Sequence, residues 1–202
     1  MCKETIILRN FMKEYSSLLL RRDISDEELA QIIERAKSDD ADALARLSQY
    51  VYARIYSYIY YRVKQREDAE DLTSEVILKM IRALKEQKRN FRAWIYRIAG
   101  NALIDFYRKR SVRRETSIDE FTQDIPEQKD SMPKHILIKD RLREAITYLT
   151  KEQADVITMK FVQELDNEEV AKIMGKSVGA IKVLQFRALK ALRDYFRKKG
   201  YK

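Results

Sequence analysis

Residues 165–196 read LDNEEVAKIMGKSVGAIKVLQFRALKALRDYF, and their punctuation is the most specific in the chain. Asp166 with Glu169 three residues on is a capping box that opens one short helix. Gly175 supplies a left-handed stop for it, and Ser177 caps the next helix. Ala171 is small enough to let two helices cross closely. Val170, Met174, Ile181 and Leu184 recur at the spacing that fills the core of a helix-turn-helix. In such a unit the second helix enters the DNA major groove, led by its N-terminal residues. That helix starts here at Val178. With Ile181, Leu184 and Ala188 turned inward, Gly179, Ala180, Lys182, Val183 and Phe186 face outward. From Lys176 to Lys199 there are eight Lys or Arg against one acid, Asp194, a balance of +7 that suits a phosphate backbone. Lys176 stands where many such units place an apolar residue. Gly179, Ala180 and Val183 offer few hydrogen-bonding groups, so thymine methyls, backbone contacts and DNA shape carry more of the specificity.

A second stretch, FRAWIYRIAGNALIDFYRKR at residues 91–110, raises the same chemistry in another form. Ile95, Ile98, Ala99, Ala102 and Leu103 make an apolar stripe at helical spacing. Phe91, Trp94, Tyr96, Phe106 and Tyr107 cannot all lie on it. Seven Lys or Arg against Asp105 between Phe91 and Arg114 leave a balance of +6. Aromatics interleaved with arginines suit unstacked bases, since every base has a π-face and every nucleotide a phosphate. This half of the chain therefore reads as fit for single strands, and the C-terminal half for duplex.

Working outward, Ser25 with Glu28 reads as a capping box, and apolar residues at helical spacing continue from it to Val63. Leu44, Leu47, Val51, Ile55, Tyr58 and Ile59 fall on one face; the tyrosines from Tyr50 to Tyr61 read as its wide, semi-buried margin. A further helix opens at REDAEDLTSEVILKMIRALKEQ, whose early acids suit the positive end of a helix dipole. Thr150 and Gln153 form another capping box. Residues 111–135 hold both prolines, are rich in Asp and Glu, and lack periodicity, so they read as a linker. The expected plan is all-α: an extension at 1–24, a helical domain at 25–112, a flexible acidic linker at 113–138 and a helix-turn-helix domain at 139–202.

Composition narrows the function. Only six of 202 residues are Gly or Pro while 36% are charged, which favours helices, and the net charge of +9 points to polyanions. Cys2 and His135 are the only residues of their kinds, so neither an internal disulfide nor a Cys/His zinc site can be built, and no cofactor is implied. The first 22 residues are too interrupted by charge for a leader or membrane span, so a soluble, cytoplasmic protein is expected. Acid groups such as DDADAL and EDAED read as surface and cap residues, not as a catalytic constellation.

In this combination the chain resembles the extracytoplasmic-function (ECF, group IV) sigma factors of bacterial RNA polymerase, the minimal two-domain members of the sigma-70 family. REDAEDLTSEVILKMIRAL is similar to the family's region 2.2, NFRAWIYRIAGNALIDFYRKR to regions 2.3 and 2.4, and LTKEQADVITMKFVQELDNEEVAKIMGKSVGAIKVLQFRALKAL to region 4. The resemblance implies that Asp68, Asp71, Leu72 and Glu75 dock on the clamp helices of the polymerase β′ subunit, where Ser74 replaces a frequent Gln. It implies that Trp94, Tyr96, Arg97, Asn101, Asp105 and Arg108 serve the −10 element. It assigns the −35 element to Lys176, Ser177, Gly179, Ala180, Lys182, Val183, Phe186 and Arg187, in a domain that also meets the β flap. The acidic linker (Asp119, Glu120, Asp124, Glu127, Asp130) would run through a channel later taken by RNA, and an anti-sigma factor would hold the protein inactive. Phe11, Tyr15, Leu18 and Leu19 of the extension would pack on the first domain or meet such an inhibitor.

The chief rival reading is a stand-alone helix-turn-helix regulator, which predicts tight operator binding without polymerase. An RNA-processing enzyme would need a metal or general-base site that the sequence lacks, and a protein that only sequesters another has no need for two basic faces.

Overall fold

A computed structural model of the chain describes residues 24–63, 65–88, 90–116 and 134–200. The extension's Phe11, Tyr15, Leu18 and Leu19, and the acids of the expected linker, lie outside the described residues. Within them the backbone is helical: α1 (Asp26–Lys37), α2 (Ala41–Tyr60), α3 (Arg66–Ala83), a 3-10 turn (Leu84–Glu86), α4 (Phe91–Thr116), α5 (Lys134–Thr147), α6 (Lys151–Ile157), a π-type turn (Thr158–Val162), α7 (Asn167–Met174) and α8 (Val178–Lys198). The expected linker is thus narrowed from both ends, by α4 reaching Thr116 and α5 starting at Lys134. Among the described residues no helix is long and apolar enough to cross a membrane.

The first periodic run is two helices, not one. Asp39 takes a left-handed φ of 64°, and Asp40 accepts the Ala43 amide at 3.0 Å to start α2. Arg35 holds the same carboxylate at 2.7 Å. The Ala43 amide and Arg35 together lower the Asp40 pKa. The Ser25 box is half made. Ser25 accepts the Glu28 amide at 3.1 Å, whereas the Glu28 carboxylate reaches Arg46 of α2 at 2.9 Å and so ties α1 to α2. The other two boxes form completely: Thr150 with Gln153, and Asp166 with Glu169.

Leu47, Val51, Ile55, Tyr58 and Ile59 of α2 are buried against Leu72, Val76 and Met80 of α3 and Ile95, Ala99, Ala102 and Leu103 of α4. These are the apolar stripes of the sequence, each closed by the other two helices. That core does not stop at the N-terminal half. Val156, Met159, Leu165, Val170, Ala171 and Ile181 belong to the same apolar cluster. A second cluster joins Tyr61 to Leu142, Ala145, Ile146, Ala154, Ile157, Ala188 and Leu192.

Polar groups bind the halves where the cores meet. Asp155 of α6 accepts from the Tyr58 hydroxyl and from Arg62, each at 2.7 Å. The Arg62 guanidinium also lies 3.7 Å from the Tyr58 ring centre. Gln163, at the end of the π-type turn, accepts from the Tyr96 hydroxyl and donates to the Arg54 carbonyl at 2.7 Å. At the rim Arg92 bridges Glu169 at 3.0 Å and Asp26 at 2.8 Å, while Arg143 donates to the Val63 carbonyl at 2.7 Å. Burial pushes the Tyr58 and Tyr96 hydroxyls well above the ordinary phenol range, and Asp155 adds to the rise at Tyr58.

Candidate nucleic-acid interface

Helix α3 buries one face and offers the other. Ala69, Leu72, Thr73, Val76 and Met80 point inward, and Thr73 returns its hydroxyl to the Ala69 carbonyl at 2.6 Å. Asp71, Ser74 and Glu75 are exposed, with Glu75 held by Lys79 at 2.6 Å. Two of the expected docking residues sit differently. Leu72 is 7% exposed and packs in the core, since it stands on the stripe with Val76 and Met80. Asp68 is half-buried and faces Arg110 of α4 at 3.6 Å. In their place the outer face carries Leu78, 53% exposed, and Ile81. Sequence reasoning passed over both, although Leu78 lies seven residues beyond Asp71 and thus on its face.

On α4, Trp94, Arg97, Asn101, Asp105 and Arg108 recur at three- and four-residue steps and share one face. Arg97, Asn101 and Arg108 are exposed, Asp105 is half-buried and pairs with Arg108 at 3.2 Å, and Ile104 adds an exposed apolar group beside them. Trp94 is half-buried, tilted against Phe91 at 5.7 Å, so one edge is core and the other is surface. Tyr96 stands about 200° around the helix from Trp94 at roughly 100° per residue. Its ring meets Tyr58 edge-on at 5.2 Å, and it is buried. In this arrangement it supports the face from within and presents nothing to a base.

The helix-turn-helix forms as its spacing predicts. The Asp166 carboxylate takes the Glu168 and Glu169 amides, each at 2.8 Å, and the Glu169 carboxylate takes the Asp166 amide at 2.9 Å. Gly175 ends α7 with φ 64° and ψ 36°, and the Ser177 hydroxyl takes the Ala180 amide at 3.2 Å. Ile181, Ala188 and Leu192 turn α8 inward, with Leu184 half-buried beside them. The outer face presents Ser177, Gly179, Lys182, Val183, Phe186 and Arg187, with Phe186 70% exposed. Ala180 and Lys176 are half-buried, and Lys176 pairs with Glu152 of α6 at 2.8 Å. A lysine fits at that apolar position because the acid across the turn receives it.

Comparison with known proteins agrees with this geometry. The Sigma-70 region 2 family matches residues 47–113, and the Sigma-70, region 4 family matches residues 139–192. The ECF RNA polymerase sigma factor BldN of Streptomyces coelicolor is 35% identical over 180 residues, which is 85% of this chain and 68% of that protein. The structure of CnrH in complex with the cytosolic domain of CnrY covers 83% of this chain and 96% of its own at a TM-score of 0.62 and 20% identity. The sigma factor RpoE of Bartonella quintana, solved with the anti-sigma factor NepR, covers 85% of this chain and 95% of its own at a TM-score of 0.50 and 20% identity. Sigma-70 regions 2 and 4, in order on one helical chain, place it: the protein belongs to the extracytoplasmic-function RNA polymerase sigma factors of the sigma-70 family.

Proposed function

We propose that the chain directs bacterial core RNA polymerase to promoters, docking through the outer face of α3 and reading a −10 element with α4 and a −35 element with α8. One observation carries this reading: an exposed acidic-apolar face (Asp71, Glu75, Leu78) and two exposed basic faces occupy three different helices of one chain. Asp71 and Glu75 are the docking charges, with Leu78 as the apolar anchor between them and Ile81. Trp94, Arg97, Asn101, Asp105 and Arg108 meet an opened −10 strand. Lys182, Val183, Phe186 and Arg187 enter the −35 major groove, with Ser177 and Gly179 near the backbone. No catalytic step is assigned to the chain, and its place of action is the cytoplasm, with the polymerase.

Energetics explain why such a protein works as a subunit. Separating a base pair costs about 1.4 kcal/mol per stacking step. Stacking one freed base on an aromatic returns about 1–3 kcal/mol. A single Trp94-bound base offsets one or two steps, so opening a promoter needs the polymerase as well. The apolar and basic faces left open between rounds also fit an anti-sigma factor as a protein partner.

The test is binding of the purified full chain to core RNA polymerase of its own bacterium. The expected result is tight association that Asp71→Arg weakens at least about tenfold, about 1.4 kcal/mol, with an unchanged helical spectrum. A folded, inhibitor-free chain that ignores core polymerase yet binds an operator tightly would establish the stand-alone regulator instead.

A further inference from the structure

Lys176 breaks the apolar pattern of the helix-turn-helix, and both it and its partner Glu152 line a cleft of about 350 Å³. Helix α4 gives one wall, with Arg97 and Asn101; α6 and α7 give the other, with Lys151 and Lys172. Gly100 keeps the space between them open. A Cβ built there stands 3.8 Å from the Tyr58 hydroxyl and 3.9 Å from the Lys151 Nζ, so a longer side chain would fill the cleft. The volume falls in the range of small-molecule pockets, about 300–1,000 Å³. A DNA duplex is too broad to enter it.

The charges around this cleft do not balance. Four cations meet there against two carboxylates, Glu152 and Asp155. Both carboxylates are engaged: Asp155 by Tyr58 and Arg62 at 2.7 Å each, and Glu152 by Lys176 at 2.8 Å. Arg97, Lys151 and Lys172 have no carboxylate partner among the described residues. Like charges gathered round one hollow repel one another unless an anion lies between them. The cleft also has an apolar side, from Ile173 and Met174. Asn101, exposed on α4, offers an amide donor and an acceptor together. Cations for phosphates, an apolar shelf for a flat ring and an amide for a base edge make the recognition set of a phosphorylated nucleoside. A bare phosphate would have no use for the shelf. A long single strand calls for cations set along a track, and these ring a hollow.

We propose that this cleft binds a small nucleotide carrying two or more phosphates. Lys151, Lys172 and Arg97 hold the phosphates, and Asn101 takes the base edge above Ile173 and Met174. Lys176, kept in place by Glu152, is the fourth cation, which accounts for a lysine at an apolar position of the motif. The site needs no promoter. Its consequence rests on the sigma-factor reading: Arg97 and Asn101 belong also to the proposed −10 face, so a bound nucleotide and the −10 strand exclude each other. Each then weakens the binding of the other by the same factor.

The full chain tests this by titration with fluorescent N-methylanthraniloyl derivatives of ADP and GDP. Saturable one-to-one binding of at least one of them is expected. Unlabelled parent nucleotide should displace the probe, and the parent nucleoside, lacking phosphates, should not. Lys151→Glu with Lys172→Glu reverses two exposed charges without emptying a buried position. The pair should weaken probe binding at least about tenfold with an unchanged helical spectrum. Lys172→Gln alone leaves α6 untouched and should shift affinity in the same direction if the pair fails to fold. Absence of saturable binding, or equal affinity in the variants, overturns the site. Inorganic tripolyphosphate that displaces the probe as well as the parent nucleotide does would show an anion site without a base contact, and overturns the nucleotide assignment. Loss of affinity for a random-sequence single-stranded DNA in the variants, with neither probe bound by wild type, would give the cations to a strand path instead. Binding to core polymerase, measured alongside, reports separately on the sigma-factor reading: its absence sinks that reading while the titration still decides the cleft.

Discussion

A cation that neutralises a phosphate leaves a signature that packing cannot imitate, because it releases counterions. Lys182 is exposed on the outer face of α8, beside Val183 and Phe186. Lys182→Ala is expected to lower the slope of log affinity for −35 duplex against log salt by about 0.9, with stability unchanged to about 0.5 kcal/mol. A salt titration of duplex binding checks it, and an unaltered slope removes Lys182 from the phosphate contacts. Phe186 should behave oppositely, losing affinity on truncation with the slope intact. The outward order of Gly179, Lys182, Val183 and Phe186 was legible from spacing alone, because Ile181 and Ala188 set the inward direction. Tyr96 was not. Residues Trp94 to Arg97 look alike on paper as an aromatic-basic run, and only the rotation between neighbours sends one ring outward and the next into a buried contact.

Elements in this chain begin and end where short polar residues settle loose backbone groups. Gly175 is the sharpest case: its φ of 64° closes α7 and aims α8, and a Cβ built there meets nothing within 4 Å. The cost of Gly175→Ala is therefore backbone strain alone, about 1 kcal/mol. Thermal unfolding should fall by a few degrees while the residues of α8 keep their exposure; a midpoint equal to wild type would show that the turn tolerates a side chain. Caps at Thr150, Asp166 and Ser177 were readable because each needs only a residue and its neighbour three positions on. The turn at Asp39 and Asp40 was harder to place, since apolar spacing carries across it and its acids read only as surface or caps. The Ser25 box failed by half for a reason outside its own four residues: Arg46, eighteen positions on from Glu28, takes that carboxylate.

At the level of the whole molecule, what the sequence hides is the joint between its halves. Asp155 and Gln163 look like the polar side of a helix in a separate domain, and nothing local marks them as destined for Arg62 and Tyr96, some seventy to ninety positions earlier. The joint carries its own pH dependence. Tyr58 and Tyr96 have folded pKa values raised by burial above the unfolded value of about 10. Their contribution is fully present below pH about 10 and is lost as pH rises toward the folded values, at about 1.4 kcal/mol per pH unit for each phenol. The closed molecule should thus come apart in alkali, with these two tyrosinates appearing only as helical packing is lost. Tyr58→Phe with Tyr96→Phe removes that dependence: neutral-pH stability falls by about 1 kcal/mol per lost hydrogen bond, yet the alkaline transition becomes shallower. Tyrosinate absorbance followed against the helical signal decides it. If every tyrosine ionises near pH 10 while the helical signal and the separation of the halves stay constant, then Tyr58 and Tyr96 are not sealed and the joint is open in solution.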